Sequence, residues 1–222
     1  MNQVFWFPIQ LSLWVSFIAA AVVLVLGIIL GRLFVTKKFR GKLFWETIFI
    51  LPLVLPPSVI GFFLIIIFGL NSVVGRTIEK IVGSSVMFTP MAAVLAAIVV
   101  AFPLMFQSAK VGFSSIDRDI EGAAKIDGAS ESMMMLFIMI PLASRALLTG
   151  GILSFTRALG EFGATLMFAG NIPGKTQTIP TAIYVAIESG ETKLAFTYVF
   201  FSVAIAFGLL SITNGITKRG EI

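Results

Sequence analysis

From Pro8 to about Leu30 the chain carries no charged side chain, and nearly every residue is apolar. In a bilayer each backbone N–H and C=O must be bonded within its own segment, so a run of about 20 apolar residues specifies a spanning helix. The same reasoning places spans at about Ile9 to Phe34, Trp45 to Leu70, Pro90 to Val111, Leu142 to Phe168 and Leu194 to Ile216. Charged residues make up only 12% of the chain, about half the share of a soluble domain. The expected fold class is therefore an all-α integral membrane protein, with five transmembrane helices plus short non-spanning helices in a single domain over residues 1–222. The first run has no preceding Lys or Arg and is too long for the core of a secretory signal peptide, so it is expected to remain as a span.

The second span contains Pro52, Pro56 and Pro57. Proline removes a donor and crowds the preceding turn, which predicts a kink or break around Leu51 to Ser58. Between Asn71 and Thr89 a short amphipathic piece (Val73, Val74, Ile78, Ile81, Val82) is expected on the outer surface. Ile179 to Glu188 reads as a helix that does not cross. Gly27 and Gly31 form a small-xxx-small pattern suited to close packing against another helix.

The net charge of +5 raises nucleic acid as a partner, but the placement of the charges argues otherwise. With this topology eleven of the sixteen lysines and arginines fall on one side: Arg32 to Lys42, Lys110, Arg118, Lys125, Arg145 and the terminal Lys218-Arg219. Four (Arg76, Lys80, Lys175, Lys193) fall on the other, and Arg157 lies within a span. By the positive-inside bias the N-terminus is outside and the C-terminus cytoplasmic. The basic charge reports orientation and membrane lipid as the surroundings, and no nucleic-acid partner is expected.

The chain has no cysteine and no histidine, which removes disulfides, thiolates and the commonest metal ligand and general base. No catalytic residue, metal or cofactor is expected. The segment Gly170-Asn-Ile-Pro-Gly-Lys-Thr176 imitates a phosphate-binding loop, but four residues do not separate its glycines and no strand precedes it.

Five of the eleven acidic residues (Asp117, Asp119, Glu121, Asp127, Glu131) fall within fifteen positions, in the one extended polar stretch, Ser114 to Pro141. Ser114 followed by Asp117 has the spacing of a helix cap and its capping-box acid. Ile116, Ile120, Ala123 and Ala124 share a helical face, Gly128 suits a turn with positive φ, and Ser130 suits the cap of a second helix that Pro141 interrupts or kinks. Two readings stand: an amphipathic loop lying at the membrane surface, or a docking site for a water-soluble partner.

Ala123-Ala124, Gly128 and the terminal Ile138-Met139-Ile140-Pro141 resemble the cytoplasmic loop of ABC importer permeases. The resemblance implies a MetI-like ABC permease fold whose loop, 114–141, couples to a separate ATPase through Glu121, Ala123, Ala124, Gly128, Ile138 and Pro141. Two departures stand out: the family's glutamate usually occupies the position of Gly122, one after Glu121, and Ile140 replaces the usual leucine. Thr156 to Thr178, Ile179 to Tyr184, Leu51 to Pro57 and Phe68-Gly69-Leu70-Asn71 are similar to the molybdate branch and less closely to the sulfate branch. That resemblance implies a homodimer in a prokaryotic cell membrane, cytoplasmic ABC ATPase subunits and an extracytoplasmic oxyanion-binding protein. It implies alternating-access import of molybdate, with tungstate as a second candidate substrate.

Arg157 and Glu161 are the only charges deep within a predicted span. Four residues apart on a helix they can neutralise each other, either beside the anion path or as a structural or gating pair. Two rivals to ATP-driven import remain on sequence grounds. An ion-coupled carrier commonly uses an intramembrane acid, for which a glutamate beside an arginine is poor material, and a scaffold would bind a partner without moving any solute.

Overall fold

The computed structural model describes residues 3–218, and among them every regular element is helical. Four helices are long and apolar enough to span: α1 (Gln3–Thr36), α5 (Pro90–Ser114), the run from Glu131 to Leu159, and α11 (Thr192–Lys218). The fifth is a broken pair, α2 (Lys42–Val54) and α3 (Pro57–Phe68), bent by 118° at the expected prolines. The pair runs from one end of the bundle to the other. Glu46 in α2 pairs with Lys110 near the end of α5, whereas Gly69, just past α3, lies close to Met87, just before α5 begins. Counted as one span it gives the expected five.

α1 begins at Gln3, ahead of the expected Ile9, because aromatic packing extends it. Phe5 stacks on Tyr198 of α11 with ring centroids 5.3 Å apart, and Trp6 meets Phe201 edge-on at 5.6 Å. Two short helices fall where expected, α4 (Val73–Val82) and α10 (Ile179–Glu188). The Ser72 side chain caps α4 by accepting from the Gly75 N–H. α10 is fixed to α1 by the Ile179 N–H, which donates to Ser12 Oγ at 2.8 Å.

α5 is the core, its Ala92, Ala93, Ala96, Ala97, Val100 and Ala101 wholly or almost wholly buried. Small side chains let its neighbours approach closely. A Cβ at Gly27 would lie 2.5 Å from Met105 Cγ, and one at Gly31 would lie 2.7 Å from Ala109 Cβ and 3.1 Å from the Lys110 nitrogen. The glycine pattern of the first span is thus the seam between α1 and α5, which run parallel.

Two expectations about the fourth span are corrected. Pro141 does not interrupt it: α7 (Glu131–Met134) passes through a π-helical turn at Met135–Met139 directly into α8 (Ile140–Leu159). Pro141 sits in the first turn of α8, where the wider turn accommodates its missing donor. The interruption comes later, at Gly160 to Phe162, and is followed by α9 (Gly163–Ala169). The two broken spans meet there, because a Cβ at Gly163 would lie 2.8 Å from Pro57 Cβ, and one at Gly61 would lie 2.7 Å from Met167 Cβ. The side chains of the terminal Lys218-Arg219 pair lie outside the described residues.

Candidate functional site

The polar stretch forms a helix-turn-helix at the end of the bundle that carries the basic first loop. α6 (Arg118–Ile126) is capped by Asp117, whose Oδ1 accepts from the Asp119 N–H at 3.0 Å. Ser114, expected as the cap, is instead the last residue of α5, because the apolar core carries that helix further. Asp119 and Glu121 lie in the first turn and Lys125 in the last, which suits the helix dipole. Gly128 makes the turn at φ 82°. The Ala129 N–H donates back to the Ala124 carbonyl at 3.0 Å, and Ser130 caps α7 by accepting from the Met133 N–H.

The apolar residues of α6 do not share one fate. Ala124 is buried and Ile116 packs on the core, whereas Ile120 and Ala123 are exposed. Ile126 is 88% exposed and Met133 56%, so the outward surface of the loop is an apolar patch beside acidic residues. Sequence reasoning missed Ile126 and Met133, since only the way Ala124 docks decides which side of so short a helix faces out. Ile138 is half-buried and packs on the core, and Pro141 is exposed at the start of α8.

Glu121 turns inward. Its carboxylate accepts from Arg32 Nη2 of α1 at 3.0 Å and from Lys125 Nζ at 3.0 Å. Burial raises the Glu121 carboxyl, but hydrogen bonds from Lys125 and Arg32, together with their charges, outweigh it and hold the group below its ordinary value of 4.5. Arg32 gave no sequence signal beyond its place in a basic run, because the pairing joins residues far apart in the chain.

The second charged site is at the break after α8. Arg157 Nη1 donates to Glu161 Oε2 at 2.6 Å. Glu161 lies beyond the last helical residue rather than on the helix, and its side chain is 2% exposed against 30% for Arg157. Its other oxygen, Oε1, accepts from the Ala164 N–H at 2.8 Å and so caps α9. One carboxylate neutralises a guanidinium and satisfies an otherwise free donor of α9.

The segment that imitates a phosphate loop closes on itself. The Ile172 carbonyl accepts from the N–H groups of Lys175, Thr176 and Gln177 at 3.0, 2.9 and 3.2 Å, and the Ile172 N–H donates to Thr176 Oγ1. The backbone donors of Ile172, Lys175, Thr176 and Gln177 are thus already used.

A bundle of broken spans around a small-residue core, with a capped helix-turn-helix at its basic end, defines a membrane transport subunit. The chain belongs to the family of binding-protein-dependent transport system inner membrane components, which matches residues 6–219. It is therefore a multi-pass protein of the bacterial inner membrane. It is 56% identical over 206 residues to the putative molybdenum transport system permease protein YvgM of Bacillus subtilis (strain 168), covering 93% of this chain and 91% of that protein. It is 37% identical over 218 residues to the molybdenum transport system permease protein ModB of Escherichia coli (strain K12), covering 96% and 93%. The fold matches a bacterial ABC transporter involved in the import of the acidic polysaccharide alginate (TM-score 0.76, 15% identity, 99% of this chain and 80% of that one). It also matches the MetNI methionine ABC transporter in an inward-facing conformation (TM-score 0.69, 15% identity, 99% of both chains).

Proposed function

We propose that this chain is the permease subunit of an ATP-driven importer of molybdate, with tungstate as the nearest competing substrate. The similarity to molybdenum permeases over almost the whole chain supports the substrate. The exposed helix-turn-helix of α6 and α7 supports the energy source, since its acidic and apolar outward surface is suited to the groove of a cytoplasmic ATPase subunit. ATP hydrolysis belongs to that partner, and an extracytoplasmic oxyanion-binding protein delivers substrate to the opposite end. The N-terminus is outside and the C-terminus cytoplasmic, following the distribution of lysine and arginine. Because α5 fills the interior of one chain, the alternating-access path runs between two copies in a homodimer. The Arg157–Glu161 pair is a structural or gating element of that path.

The test is uptake by the complete importer in vesicles, with molybdate, tungstate and sulfate in competition. ATP-dependent molybdate uptake displaced by tungstate, and poorly by sulfate, is the expected result. Uptake that persists without ATP on an ion gradient identifies an ion-coupled carrier, and preferential displacement by sulfate identifies a sulfate-type permease.

Gly128→Asp tests the loop. A Cβ at Gly128 meets nothing within 4 Å, although φ is +82°, and aspartate is among the residues that best tolerate this conformation. Insertion and folding are therefore expected to survive, while ATP-driven uptake falls by about tenfold, the factor that ~1.4 kcal/mol of lost contact energy sets. Normal uptake by correctly inserted Gly128→Asp protein counts against coupling through this loop.

A further inference from the structure

We propose that Glu121 acts within the chain rather than on the ATPase: it ties the coupling helix α6 to the end of α1, so that α1, α5 and α6 move as one unit. The inference rests on the function proposed above and adds to it the route by which loop movement enters the spanning body.

Three observations carry it. First, Glu121 is held from two sides, by Arg32 and by Lys125, at 3.0 Å each, but the two bonds differ in exposure. The Arg32 and Glu121 side chains are 15% and 22% exposed, whereas Lys125 is 57% exposed, so the tie to α1 is the less screened of the two. Second, α1 packs closely on α5: a Cβ at Gly27 or Gly31 would meet backbone atoms of Met105, Ala109 and Lys110. α6 follows α5 after only Ser115 to Asp117. Its free end would turn about that short link, and the Glu121–Arg32 bond, beside the docked Ala124, ties it to α1. Third, the neighbouring outward position is bare: Gly122 is exposed, and a Cβ there meets nothing within 4 Å. The chain thus places a carboxylate on the inner side of the coupling helix and none at the position beside it.

The other arm of the loop is built differently. Among the described residues no ion pair ties α7 to the body, and it enters α8 through the π-helical turn. Displacement of the loop is therefore passed rigidly to α1 and α5 through α6, and through an irregular turn to α8.

The test uses the complete importer in vesicles, reading molybdate moved per ATP hydrolysed, with co-purification of the ATPase as a separate readout. The wild-type complex is the control: if it moves no molybdate on ATP, the underlying reading fails rather than this one. Arg32→Glu and Glu121→Arg are each expected to keep the ATPase bound but to lower the ratio about fivefold or more. The double exchange Arg32→Glu with Glu121→Arg restores at least half of it. Single variants that keep the wild-type ratio, or a double exchange no better than either single, overturn the proposal.

A second measurement covers the case in which a single variant fails to assemble. Thr36 and Lys125 line the same cavity of about 420 Å³ between α1 and α6, and the chain has no native cysteine. Thr36→Cys with Lys125→Cys is therefore treated with bismaleimides of graded length, with no background from this chain. Uptake equal before and after bridging is expected if the two helices move together, and its abolition on bridging overturns the proposal.

Discussion

Glu161→Ala is expected to remove most of the folded protein from the membrane. The substitution leaves the Arg157 guanidinium, 30% exposed, without its 2.6 Å partner, which costs up to about 3 kcal/mol, the low end for breaking a buried pair. It also leaves the Ala164 N–H, now bonded to Glu161 Oε1, without an acceptor at the start of α9, which adds about 1–3 kcal/mol. Against a total stability of about 5–15 kcal/mol, that loss is decisive. The yield of monodisperse protein extracted from membranes measures it, and a wild-type yield would refute the assignment. The double variant Arg157→Met with Glu161→Leu removes both charges together, and such replacements are often neutral or stabilising. Its yield is expected to recover well above that of Glu161→Ala. If the double variant also transports, the pair is structural; if it assembles with the ATPase but moves no molybdate, the pair belongs to the gate.

Gly31→Leu is the second large effect. The first side-chain carbon alone would stand 2.7 Å from Ala109 Cβ and 3.1 Å from the Lys110 backbone nitrogen, and a helix backbone in the core cannot withdraw. Overpacking of this kind costs about 1–3 kcal/mol. Here it also forces apart the helix ends that hold Arg32 near Glu121 and Lys110 near Glu46. Thermal aggregation of the detergent-extracted protein should begin at a clearly lower temperature. Gly208→Leu is the control, because a Cβ there meets nothing within 4 Å, and it is expected to behave as wild type. Equal thermal behaviour of the two variants would show that α1 and α5 do not pack through Gly31.

The polar loop was legible for reasons that are local. Gly128 and Ser130 act through their own backbones and the adjacent turn, so their residue types declared the turn and the cap before any packing was known. The start of α6 was misplaced by three residues, from Ser114 to Asp117, because both residues are acceptable caps and only the buried Phe113 and Gly112 decide how far α5 continues. Arg157 and Glu161 were recognisable as a pair from charge alone. Their spacing suggested one continuous helix, whereas the carboxylate is drawn into the break by the free N–H of α9. The inward turn of Glu121 had no signal, since its partner is 89 residues earlier in the chain.

The sequence by itself determined the spans, the break at the prolines, the polar loop and the absence of thiol or imidazole chemistry, because each follows from transfer free energies and backbone constraints within one segment. Only the tertiary structure decided that the two broken spans meet at Pro57 and Gly163, that α1 is locked to α5 through its glycines, and that Glu121 belongs to Arg32. Those contacts join residues distant in sequence, and they depend on how closely small side chains allow helices to approach.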